Sequence, residues 1–135
     1  MGKRGEAIAA AAREKGAALM VDGWLNDPML VVARTQPRVE REMRMFLGQN
    51  VSGILALPFV RSPNIPVPKL SDFMVPTLVI VGDRDVPEIV QRAHLISREI
   101  PGAKEVVIKD ADHMVNLEKP REFNRALASF LRGLK

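Results

Sequence analysis

Two rhythms of apolar residues divide the chain. Up to about residue 48, apolar positions recur every three or four residues, the spacing of a half-buried helix. Residues 6–15 are alanine-rich and predict a helix that Gly16 stops. Residues 17–26 predict a second, and Asp27-Pro28 opens a short third. Pro37, a good first-turn residue, starts a fourth that runs to about Leu47, with Val39, Met43, Phe46 and Leu47 on one face. Residues 51–59 predict one more short helix. Pro58, Pro63, Pro66, Pro68 and Pro76 then exclude regular helix, because proline lacks the N–H donor and clashes with the preceding turn.

The second rhythm begins at Thr77-Leu78-Val79-Ile80-Val81, an unbroken β-branched run that suits a strand covered on both faces. Gly82-Asp83-Arg84-Asp85 turns the chain, and residues 87–99 form an amphipathic helix with Ile89, Val90, Ala93, Ile96 and Ile100 inward. A second strand covers residues 105–109. Pro120 starts a last helix with Phe123, Ala126, Leu127, Phe130, Leu131 and Leu134 along one stripe. Strand, helix, strand, helix predicts an α/β class with a right-handed parallel crossover. The expected organisation is a helical region over 1–59, a proline-rich linker over 60–75 and an α/β unit over 76–135.

Composition narrows the picture. The 135 residues suffice for one domain with a core, and no apolar run reaches the roughly 20 residues of a membrane span. A cytoplasmic location without membrane attachment is the expectation. With no cysteine, disulfides and thiolate chemistry are excluded. A net charge of +4 suggests nucleic acid, but Glu40 and Glu42 interleave with Arg38, Arg41 and Arg44. With one Trp and no Tyr, base-stacking platforms are scarce as well, so a solvated helix face is the better account and no nucleic-acid partner is expected.

In an open parallel sheet, functional groups gather beyond the carboxyl ends of the strands. Two loops leave such ends here, one with Asp83 and Asp85, the other with Asp110, Asp112 and His113. A carboxylate that accepts from an imidazole fixes its tautomer and stabilises the charge formed in proton transfer. His94 is expected exposed in mid-helix, and Met20, Met29, Met43 and Met45 are expected to pack a core.

The stretch Val75 to Asp85 resembles the seventh strand and acid loop of α/β-hydrolases. Ala111-Asp112-His113-Met114-Val115-Asn116-Leu117-Glu118-Lys119-Pro120 is similar to that family's histidine loop, and residues 121–134 to its final helix. Residues 6–70 resemble, by composition, the helical cap many members carry. The resemblance implies a partial α/β-hydrolase fold, a helical cap-like region followed by a two-strand parallel sheet with its helices. It assigns the catalytic acid to Asp85 and the catalytic histidine to His113, 28 positions later, with Asp83 the rival acid. Glu118 is expected to be a structural cap, and Asp110 and Asp112 to bond loop amides.

The family's nucleophile sits in a Gly-x-Ser-x-Gly elbow upstream of the acid. None of Ser52, Ser62, Ser71, Ser97 and Ser129 has that setting. The implied activity is therefore hydrolysis of an ester, lactone or related acyl bond in a complete enzyme, with no cofactor and no metal, and little turnover by this chain alone. A non-catalytic interaction module or one half of a split enzyme are the alternatives. The expected partners are a small acyl substrate, an N-terminal hydrolase fragment, or a second copy pairing through the strand edge at residues 77–81 or through the cap helices.

Overall fold

A computed structural model of the chain describes Ala10, residues 17–56 and residues 69–134. The expected helix over 6–15 (save Ala10), residues 57–59 of the short helix and the linker up to residue 68 lie outside them. Contacts divide the chain into two compact units. The described part of the first comprises residues 17–27 and 34–56. The second takes Pro28–Ala33 together with residues 69–134.

In the first unit, helix α1 (Ala17–Leu25) packs against helix α3 (Pro37–Ala56). Met20, Val21 and Leu25 from α1 meet Val39, Met43 and Leu47 from α3 in the buried set. Phe46, expected on that face, is exposed instead, as is Met45. The helix expected to stop near Leu47 continues to Ala56 through Gly48. It passes Gly53 as well; each glycine costs about 1 kcal/mol in a helix, against the cost of ending one helix and nucleating another, and no proline intervenes. Arg38 pairs with Glu42 and Arg44 with Glu40 one turn apart, and Arg44 also reaches Asp22. The arginines thus serve a solvated helix face.

The second unit opens with a single 3-10 turn, Pro28–Leu30, running into the short helix α2 (Val31–Arg34), of which Arg34 belongs to the first unit. Strand β1 (Leu78–Gly82) and strand β2 (Lys104–Ile108) pair in parallel, Leu78 opposite Lys104 and Gly82 opposite Ile108. Both strands lie one residue from the expected bounds. Helix α4 (Pro87–Glu99) makes the crossover, with proline at its start supplying the preset φ of a first turn. A one-turn helix α5 (Val115–Glu118) precedes helix α6 (Pro120–Arg132). The core joins Ile108, Ala111 and Val115, with Ile80, Val106 and Phe123 packed against them.

The apolar stripe expected on the last helix divides. Phe123, Ala126 and Phe130 are half-buried, whereas Leu127, Leu131 and Leu134 are 37%, 54% and 48% exposed. Among the described residues the sheet has only two strands, so β1 keeps one edge without a strand neighbour. No helix of the described residues is long and apolar enough to cross a membrane.

Candidate active site

Gly82 sets the geometry at the carboxyl end of β1. A Cβ there would lie 2.1 Å from Ala111 O and 2.6 Å from Asp112 O, both backbone atoms of the next strand's loop. Only glycine lets the two loops approach so closely. With the approach made, three backbone bonds fasten the turn. Asp83 N donates to Ile108 O at 3.0 Å, Arg84 N to Ala111 O at 2.9 Å and Asp85 N to Gly82 O at 3.4 Å.

Those bonds direct Asp85 inward, and its side chain is 3% exposed. Oδ1 accepts from Val86 N at 2.8 Å, and Oδ2 lies 2.8 Å from His113 Nδ1. His113 N donates to Met29 O at 3.2 Å, and its imidazole is 40% exposed. A carboxylate facing Nδ1 favours the ring proton on that nitrogen, which leaves Nε2 with its lone pair. An orienting acid almost without solvent access thus stands behind an imidazole that solvent or a substrate can reach.

The other loop carboxylates are sorted by this geometry. Asp83, the rival acid, accepts from Asp110 N at 2.7 Å. Asp110 takes the left-handed φ of 53°, tolerated by Asp, and faces Arg84 at 3.3 Å rather than binding an amide. Asp112 does bind amides, but distant ones, Val32 N at 2.5 Å and Ala33 N at 3.4 Å. Glu118, expected as a cap near the last helix, instead accepts from Asp112 N at 2.8 Å and Met114 N at 3.0 Å and so braces the histidine loop; neither α5 nor α6 has a side-chain cap. Its burial, then its hydrogen bond with Asp112, push its carboxyl up to about 7. Sequence reasoning understated these two residues. Their signal was two acids bracketing the histidine, at its preceding position and five positions after it.

His94 is exposed, as expected, and lies 2.6 Å from Glu105 Oε1. Ser52 is within α3, and Ser97 Oγ donates to His94 O at 3.0 Å, a use that has nothing to do with His113. Met20 and Met43 are core residues, Met29 is half-buried, and Met45 is exposed. A groove of about 890 Å³ between β2 and α6 is bordered by Val106, Ile108, Lys119, Arg125 and Phe130, and includes neither Asp85 nor His113.

A parallel crossover that delivers a buried acid and an accessible histidine from successive strand ends is the arrangement of a triad hydrolase. Residues 3–126 match the Alpha/beta hydrolase family, and the chain belongs to it. Human ABHD14B, named as a candidate protein-lysine deacylase, is 26% identical over 105 residues, covering 66% of this chain and 49% of its own length. Protein ABHD14A of Danio rerio is 31% identical over 106 residues, 67% of this chain and 39% of its own. The chain thus spans about half the length, or less, of the curated relatives it matches. The structure of MenH from S. aureus superposes with a TM-score of 0.72 at 22% identity, over 96% of this chain and 50% of that one. A hydrolase from Pseudomonas aeruginosa gives 0.67 at 29% identity, over 97% and 51%. Est816, described as an N-acyl homoserine lactone degrading enzyme, gives 0.66 at 25% identity, over 96% and 52%.

Proposed function

We propose that this chain is the acid–base half of a hydrolase for carboxylic esters, lactones or acyl amides. The observation that carries the reading is the 2.8 Å contact between His113 Nδ1 and the buried Oδ2 of Asp85. In the proposed cycle a serine hydroxyl from residues outside these 135 gives its proton to His113 Nε2 as its oxygen attacks the acyl carbon. The imidazolium, steadied by Asp85, returns that proton to the leaving group. A water molecule, deprotonated by the same nitrogen, then releases the acid and frees the serine.

Three observations favour a half rather than a whole site. No serine here sits between the two glycines of an elbow, and relatives and solved structures alike are about half covered. The open edge of β1 and the uncovered leucines of α6 are surfaces that the preceding strands and helices of such a fold would cover. The lysine deacylase and lactone names among the similar proteins support an acyl substrate, whose pocket walls would come from the same missing half. The exposed leucine stripe also favours a second reading, an interaction module that keeps the scaffold without the chemistry.

The test is hydrolysis of short p-nitrophenyl esters by the chain alone and by the chain joined to the elbow-bearing half of a related hydrolase. The expected result is no turnover alone and, in the joined folded protein, turnover that Asp85→Asn lowers by roughly 10⁴-fold, as loss of the correct tautomer does elsewhere. Turnover by the chain alone that disappears in His113→Ala would place the nucleophile within these residues. Turnover indifferent to His113 would overturn the reading, and a folded but inactive joined protein would select the interaction module.

A further inference from the structure

Two buried carboxyls behind His113 take no part in the cycle above. Asp112 is fully buried, with Oδ2 occupied by the amides of Val32 and Ala33. Its Oδ1, also buried, has no hydrogen-bond donor among the described residues. Glu118 is 6% exposed and gives its two oxygens to the amides on either side of His113, those of Asp112 and Met114. The 2.8 Å bond from Asp112 N to Glu118 Oε2 brings these two buried residues together.

Two carboxylates cannot bond to each other without a proton, and burial makes two adjacent negative charges costly. Among the described residues no ion pair joins either of them to a cation. The packed segment Pro28–Ala33 carries no ionisable side chain. In the acid loop, Asp83 binds Asp110 N, Arg84 faces Asp110, and Asp85 faces His113. Lys119, Arg121 and Glu122 lie at the start of α6, and the charged neighbour that raises the Glu118 carboxyl is Asp112. A proton on Glu118 is the donor that Asp112 Oδ1 otherwise lacks, and the rise of Glu118 to about 7 agrees with this.

We propose that Asp112 and Glu118 share one proton, forming a latch that positions His113 against Asp85 and against the Pro28–Ala33 segment. With the proton in place, the pair ties together three backbone stretches: the amides of Val32 and Ala33, the amide of Asp112, and that of Met114. When the proton leaves, like charges separate the two side chains, and the loop holding His113 loosens from both sides. Asp112 and Glu118 are positioning residues, since neither reaches the reacting atoms. The catalytic meaning of the latch rests on the role proposed for His113, but its existence can be read without any turnover.

The experiment is a pH titration of the isotopically labelled full chain by nuclear magnetic resonance, from pH 4 to pH 8.5. The Glu118 carboxyl carbon is expected to titrate near 7. Through the same step, the His113 Nδ1 proton signal should fade. The amides of Asp112 and Met114 should exchange about tenfold faster than base catalysis alone explains. Asp112→Asn supplies the missing donor permanently, its NH₂ toward Glu118 and its carbonyl toward Val32 and Ala33. In that variant Glu118 should return to the ordinary carboxylate range and the step at His113 should vanish. A wild-type Glu118 that titrates in the ordinary range, or an unchanged His113 step in Asp112→Asn, would overturn the latch. An inactive joined enzyme in which both the Glu118 titration and the His113 step are present would instead overturn only the catalytic role of His113.

Discussion

The loop after β1 and the loop after β2 each deliver one functional side chain to the same place, and different forces hold them. The acid loop is short and fastened by backbone bonds over Gly82, where an added Cβ would meet Ala111 O at 2.1 Å. The histidine loop is longer, and buried carboxyls on both sides of His113 hold it. The bonds that support Asp85 are mostly backbone ones, which carry no titration, although Asp83 also accepts from Asp110 N. The supports of His113 are the two carboxyls proposed to share a proton.

The harshest way to break the comparison is to attack the backbone device. Gly82→Ala forces a Cβ into Ala111 and Asp112 backbone atoms that cannot retreat, and is expected to cost about 3 kcal/mol at any pH. Denaturant unfolding at pH 5 and pH 8 measures it, and a loss under about 0.5 kcal/mol would mean the loops are not locked by that contact.

The side-chain device predicts a milder and pH-dependent effect. Glu118 rises from 4.5 in the unfolded chain to about 7 in the folded one, so the folded state holds the proton more tightly. Its contribution to stability is fully present below about 4.5 and is lost as pH rises through about 7. A loss of at most about 3 kcal/mol is expected across that window, absent in Asp112→Asn. Equal slopes of stability against pH in the two proteins would remove the contrast between the loops.

The smallest effect sharpens it. His94 Nδ1 lies 2.6 Å from Glu105 Oε1 on the scaffold, outside both loops, with side chains 53% and 24% exposed. His94→Gln should change stability by less than about 1 kcal/mol and leave the His113 resonances unmoved. A shift at His113 would show that the scaffold, and not the local supports, sets the loop.

Much of the second unit was legible because its signals are local. An unbroken β-branched run, prolines at the first turns of α4 and α6, and acidic and basic residues after each strand can be read within a few positions of one another. The pairing of Asp85 with His113 followed from the resemblance and from where parallel strands end. What escaped depends on contacts between distant residues. The grouping of Pro28–Ala33 with the second unit follows from bonds to Asp112 and His113 some 80 positions away, which no periodicity encodes. The continuation of α3 through Gly48 reflects the cost of renucleation rather than any residue's preference. The division of the α6 stripe into half-buried and exposed leucine-bearing sides depends on what covers the helix, which the period of 3.6 cannot report.

The bond from Val32 N to Asp112 closes a loop of 80 residues in the sequence, and that span has an evolutionary consequence. The entropy of closing a flexible loop grows only with the logarithm of its length, so doubling it costs about 0.6 kcal/mol. Insertions and deletions between the two anchor points therefore weigh lightly on the closure itself. Helix α3, which lies between those points, can be lengthened, shortened or exchanged by descent while Pro28–Ala33 remains bound to the histidine loop. Change in the intervening chain need not move His113.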